Sequence, residues 1–209
     1  LYDNGRRVLG EIPGFVFLLA GLFFLTAGYK NISKYRNIEI SGIAAGIFLG
    51  LATISKPSIY LLIFPAIVIA ALFIDKSLRK KIIPILIGMI PSIGLWIFFA
   101  FPDPFSIETW KKIFLFYQNP AASTSLFENL SRNISLFLTH TTLIYFSLLS
   151  TFIGYTLIKI RQPARINPFM SFLIPYAVLL LLYFLKSPGW LKYLLPLQLF
   201  ILIILPAYI

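Results

Sequence analysis

The stretch SGIAAGIFLGLATISKPSIYLLIF, residues 41–64, decides the fold. From Gly42 to Ile74 there are 33 residues, and the only charge among them is Lys56. As one helix this run would extend about 50 Å at roughly 1.5 Å per residue, well beyond a bilayer core of about 30 Å. It therefore reads as two spans. Pro57 fixes its own φ and disfavours helix in the residue before it, so the break falls at Ser55 or Lys56. That break sets the lysine at a membrane surface, in a tight turn between two apolar spans.

Composition agrees. Of the 209 residues 59% are hydrophobic and 12% charged, and the mean hydropathy is +0.89, too apolar for a domain that must cover itself with polar side chains. Strand alternation is absent, so the chain reads as all-α, a polytopic transmembrane helical bundle. About seven spans can be drawn, at 12–29, 40–55, 57–74, 82–101, 134–158, 169–185 and 193–209, forming a single transmembrane domain over 1–209. The chain starts at Leu1 without a leader and stops inside an apolar run, and is expected to be an internal piece of a longer protein. It has no cysteine, hence no disulfide, thiolate metal site or cysteine nucleophile.

The net charge of +11 would point to nucleic acid in a soluble protein, but here the basic residues sit between spans, where topology and anionic headgroups account for them. No nucleic-acid partner is expected. Segments 30–39, 75–81 and 159–168 hold ten Lys and Arg in 27 positions; 1–11, Lys56, 102–133 and 186–192 hold eight in 51. The short basic loops are thus expected in the cytoplasm of a multi-pass plasma or inner membrane protein. Five of the seven acidic residues, Asp3, Glu11, Asp103, Glu108 and Glu128, then share the outer face with Lys56 and Lys192. Any chemistry is expected there.

Gly42, Gly46 and Gly50 recur every four residues, a row on one helical face that lets a neighbouring helix approach closely. Within the outer loop 102–133, PFSIETWKKIFLFYQNP (104–120) places Ile107, Trp110, Ile113, Phe114 and Tyr117 at helical spacing between two prolines. This reads as a short interfacial helix, a surface anchor or a cover over a substrate. The single histidine, His140, lacks clustered acidic or thiol partners and reads as a boundary or packing residue. No metal is expected. Asn-Xaa-Ser triplets occur at Asn31, Asn129 and Asn133, a pattern common by chance.

Three segments together resemble a known family. RRVLGEIPGFVFLLAGLFFL (6–25) puts Arg7 and Glu11 before an apolar span; GIAAGIFLGLATISKPSIYLLIFPAI (42–67) is a small-residue-rich span ending in Ser55–Lys56; GWLKYLLPLQLF (189–200) puts Lys192, Tyr193 and Pro196 at the top of a span. In order and spacing these are similar to the GT-C superfamily of membrane glycosyltransferases, especially its bacterial branch resembling protein O-mannosyltransferases. The resemblance covers roughly 5–75 well and 186–209 loosely. It implies transfer of a sugar from a polyprenyl-phosphate-linked donor to a glycan, lipid or protein acceptor outside the cytoplasm, with no cofactor. It further implies that Lys56, Lys192 and Tyr193 bind the lipid phosphate, with Glu11 and Arg7 in support. Developing charge on a leaving phosphate calls for such fixed cations. The family's principal catalytic acid belongs to a large outer loop after the first span, expected upstream of residue 1. The family commonly has Asp where Glu11 stands and Arg where Lys192 stands; charge is kept, reach is not. Two other classes stay open: a transporter or flippase for a lipid-linked saccharide, and a non-catalytic membrane protein.

Overall fold

A computed structural model describes residues 10–30, 35–100, 103, 105–118, 125–159, 168–187 and 191–204. Every regular element among them is helical: α1 (Glu11–Lys30), α2 (Tyr35–Ser55), α3 (Pro57–Tyr60), α4 (Ile63–Ile69) continued by a π-helical turn (Ala70–Ile74), α5 (Lys76–Ala100), α6 (Ile107–Gln118), α7 (Leu126–Thr139), α8 (Thr141–Lys159), α9 (Pro168–Lys186), a 3₁₀ turn (Leu191–Leu194) and α10 (Leu195–Ile204). Backbone contacts divide the chain into one unit of 1–115 with 166–176 and another of 116–165 with 177–209.

The first unit is built on α2. Its sequence breaks where Pro57 demands it: Lys56 is extended (φ −151°, ψ 82°), and Pro57 opens the next helix at its first position. On one side α2 packs antiparallel to α1, with Leu18, Leu22 and Leu25 of α1 and Ala45, Leu49 and Ala52 of α2 all buried. The three- and four-residue steps are those of knobs-into-holes seams. Phe48 stacks on Phe24 at 5.4 Å between ring centres. On its other side α2 meets α5 through the glycine row. A Cβ on Gly42 would lie 2.7 Å from Pro84, one on Gly46 would collide with the Ile85 carbonyl, and one on Gly50 would lie 2.9 Å from Ser92. From α5, Gly88 approaches the Gly46 backbone in return. Backbones meet here because neither helix has a side chain to hold them apart.

These contacts also fix direction. Positions 42, 46 and 50 face 84, 88 and 92, a constant offset of 42, so α2 and α5 are parallel neighbours. The segment Pro57–Ile74, which joins them, must therefore run in the opposite direction to both.

At the opposite end from Lys56, the four basic residues expected in a 75–81 loop, Lys76, Arg79, Lys80 and Lys81, belong instead to the start of α5, which begins at Lys76. Asp75 caps that start through its Oδ1, which accepts from the Ser77 N–H at 2.7 Å, and its Oδ2 accepts from the Ser171 hydroxyl at 3.4 Å. The Arg79 guanidinium donates to the Leu72 carbonyl at 2.7 Å, satisfying an end of the π turn, and the buried Lys81 donates to the Leu25 carbonyl at 3.0 Å. The loop expectation fails because these side chains find carbonyls and let the helix start early.

In the second unit the expected span at 134–158 also differs. A capping box at Ser125–Glu128 starts α7 eight residues earlier: the Ser125 hydroxyl accepts from the Glu128 N–H at 3.2 Å, and the Ser125 N–H donates to the Glu128 carboxylate at 2.9 Å. The helix then stops at His140 and turns by 77° into α8. So the segment 102–133, expected as an outer loop, holds the expected short helix α6 and, in addition, the first half of α7.

Among the described residues, Pro57–Ile74, Lys76–Phe99 and Phe169–Lys186 are each long and apolar enough to cross a membrane, and the bent α7–α8 pair makes a fourth if taken as one. The expected spans at 12–29, 40–55 and 193–209 correspond to the shorter apolar helices Glu11–Thr26, Glu39–Ser55 and Leu191–Ile204. The outer flanks are those of a membrane protein: Ile83, Ile87, Ile90 and Phe98 of α5 are all more than half exposed. Exposed hydroxyls bond within their own helix, as Ser150 does to the Phe146 carbonyl at 2.8 Å and Thr151 to the Ser147 carbonyl at 2.9 Å, and so need no water.

Candidate functional site

At the Lys56 end of the first unit the start of α1 meets the α2–α3 break. The approach needs glycine twice. A Cβ on Gly10 would strike the Ser55 carbonyl, and one on Gly14 would enter the Tyr60 ring. With both absent, the first turn of α1 settles against Ser55, Lys56 and Tyr60. Glu11 stands in that turn, where the N–H groups of a helix start favour a negative charge.

The result is a buried carboxylate facing a partly exposed ammonium. Glu11 is 1% exposed, the Lys56 side chain 19%, and Lys56 Nζ lies 3.6 Å from Glu11 Oε1. That distance makes an ion pair and is too long for a hydrogen bond. Among the described residues no donor reaches Glu11 Oε1 closely enough to bond it. Tyr60, wholly buried, donates its hydroxyl to the Glu11 main-chain carbonyl at 2.6 Å, tying the first turn of α3 to that of α1. Thr53 locks the other side of the break by donating to the Leu49 carbonyl at 2.9 Å and approaching that of Tyr60 at 3.3 Å.

Glu11 and Lys56, 45 positions apart in sequence, thus occupy one site. Arg7 lies outside the described residues. Tyr60 was not foreseen. Its signal was a tyrosine in an otherwise apolar run, one helical turn after Lys56 and therefore on the face of the break.

Lys192 and Tyr193 belong to the second unit. The 3₁₀ turn 191–194 carries them, with Lys192 Nζ 5.8 Å from the centre of the Tyr193 ring, a cation–π approach. Tyr193 is buried and packs edge-on against Tyr183 at 5.1 Å. Directly after this turn, α10 contributes Leu197, Gln198 and Ile201 to an open apolar pocket of about 270 Å³, lined also by Phe137, Phe146 and Leu181. The Gln198 amide nitrogen is buried on the cavity wall and finds no acceptor among the described residues.

No group of three or more His, Cys, Asp or Glu side chains gathers among the described residues. His140 is the residue on which α7 ends. Of the Asn-Xaa-Ser triplets, Asn31 lies outside the described residues, while Asn129 and Asn133 are buried and bond to the carboxyl end of α9. No family model, curated protein or solved structure matches this chain.

What the Glu11–Lys56 site can do follows from its burial. A buried carboxylate holds a partly exposed ammonium beside it. Such a fixed cation at the end of an apolar bundle suits an anionic headgroup.

Proposed function

We propose that the chain is part of a membrane glycosyltransferase that moves a sugar from a polyprenyl-phosphate-linked donor to an acceptor on the outer face of the plasma membrane. The observation that carries this reading is the Glu11–Lys56 pair, with the carboxylate fully buried and the ammonium partly open. In this reading Lys56 meets the donor phosphate and stabilises the charge that grows on it as the glycosidic bond breaks. Glu11 orients Lys56, and the principal acid is supplied by an outer loop of the longer protein. In the second unit, Lys192 and Tyr193 are followed by an apolar cavity, a pairing of cation and apolar space that would suit a phosphate with a hydrocarbon tail. Seven spans are part of the proposal. What supports them is the parallel, in-register contact of α2 with α5, which makes α2 a neighbour of a span-length helix over at least two turns.

The test uses the full-length protein in membranes with a polyprenyl-phosphate-linked hexose donor. Glu11→Gln with Lys56→Gln removes both charges together, keeping a neutral pair that folds. Loss of sugar transfer in this inserted and folded double variant is the expected result. Undiminished transfer would make the pair a structural tie and remove Lys56 from the site.

A further inference from the structure

Helix α7 divides its circumference three ways. Leu126, Phe127, Leu130, Ile134 and Leu138 share one flank, and all are exposed. Glu128, Ser131, Arg132 and Ser135 form a second, polar flank that is exposed as well. The third flank faces protein and carries two asparagines, of which Asn133 is fully buried. The Asn133 amide donates to the carbonyls of Phe184 and Leu185 at 2.9 Å and of Ser187 at 2.7 Å, and Asn129 approaches that of Lys186 at 3.4 Å. These are the last carbonyls of α9, groups that a helix end leaves without partners.

The clamp sets the height of α7. It holds the helix level with the end of Phe169–Lys186, a segment long and apolar enough to span, and so at a membrane boundary. The 14 residues of α7 extend about 21 Å at roughly 1.5 Å per residue, short of a bilayer core of about 30 Å. The 77° turn at His140 then leads into α8, where Tyr145, Leu148 and Phe152 are exposed as well.

We infer that α7 lies in the plane of the membrane interface, with its apolar flank in the headgroup–acyl boundary, its polar flank in water and its asparagines holding the end of α9. Its occupant is lipid, not a second protein, because the Asn133 clamp holds this flank level with the end of a helix long and apolar enough to span. The inference rests on the chain spanning a membrane and is independent of the transferase reading.

The chain has no cysteine, so nitroxide labels can be placed one at a time. Cysteine at Phe127, Leu130, Ile134 and Leu138 on the apolar flank, and at Ser131 and Ser135 on the polar one, is introduced into the whole chain in phosphatidylcholine–phosphatidylglycerol vesicles. Power saturation with oxygen and with a water-soluble nickel chelate then reads depth. The four apolar-flank labels are expected at one shallow depth, about 5–10 Å into the boundary, and the serine-site labels in contact with nickel. A depth that changes steadily by about 16 Å from 127 to 138, at 1.5 Å per residue, would make α7 a crossing helix and overturn the inference. Labels shielded from both reagents, or all reached by nickel, would overturn it as well, the first by showing protein cover and the second by showing water. Cysteine at Ile83, Ile87 and Ile90 of α5 is the control: flat depth there would refute the membrane reading itself.

Discussion

Removing Lys56 should harm the protein far more than removing Glu11. The two charges are 3.6 Å apart, and at an effective dielectric near 20 they attract by about 4–5 kcal/mol. The partial exposure of Lys56 and the lack of a direct hydrogen bond bring the net coupling down to about 2–3 kcal/mol. The partners differ in escape. In Glu11→Gln, Lys56 can swing its ammonium to water, at a cost of about 1 kcal/mol. In Lys56→Met, Glu11 cannot leave its buried place, and the stranded charge costs about 3 kcal/mol or more. The double variant loses both charges and should recover to about the level of Glu11→Gln. Unfolding of the purified chain in mild detergent, titrated with dodecyl sulfate and followed by the fluorescence of its three tryptophans, measures all four species. If Lys56→Met costs no more than Glu11→Gln, or if the two losses add within about 0.5 kcal/mol, the pair is uncoupled and the reasoning fails.

Three further substitutions test the packing within each unit. Gly46→Leu drives a side chain into the Ile85 carbonyl and the Gly88 backbone, so it should cost about 3 kcal/mol or more and lower the yield of folded protein, whereas Gly94→Leu, with open space around it, should be close to neutral. Asn133→Ala leaves the carbonyls of 184, 185 and 187 without their amide partner and should cost about 1–3 kcal/mol, and hydrogen exchange in 183–187 should rise; unchanged exchange there would deny the clamp.

What sequence could tell depended on whether a position breaks the apolar background. Pro57 beside a lone charge announced the break at Lys56, and the Gly42, Gly46, Gly50 row announced a close contact. The meeting of Glu11 with Lys56 was legible only as part of a resemblance, since no spacing rule joins residues on different helices. The inward faces were not legible at all. Leu18, Leu22 and Leu25 are buried while Ile12, Val16 and Phe23 of the same helix are exposed, and lipid makes both sets apolar, so periodicity carries no contrast. The capping box at Ser125 and Glu128 stands in the sequence, yet a reading by apolar runs assigns the first half of α7 to a loop. Asn129 and Asn133 show the same bias, for their amides serve carbonyls inside the protein.

The parallel pairing of α2 with α5 constrains how the bundle is assembled. Gly46 leaves the ribosome 42 residues before Gly88, with a whole reverse crossing between them. At about 5–20 residues per second this is a wait of about 2–8 s. During that interval α1 and α2 can close their antiparallel hairpin, while the glycine face of α2 has only lipid, or an insertion chaperone, against it. This backbone-to-backbone contact is therefore a late one, and a defect at Gly46 or Gly88 should leave an early hairpin intact for the quality-control machinery to find.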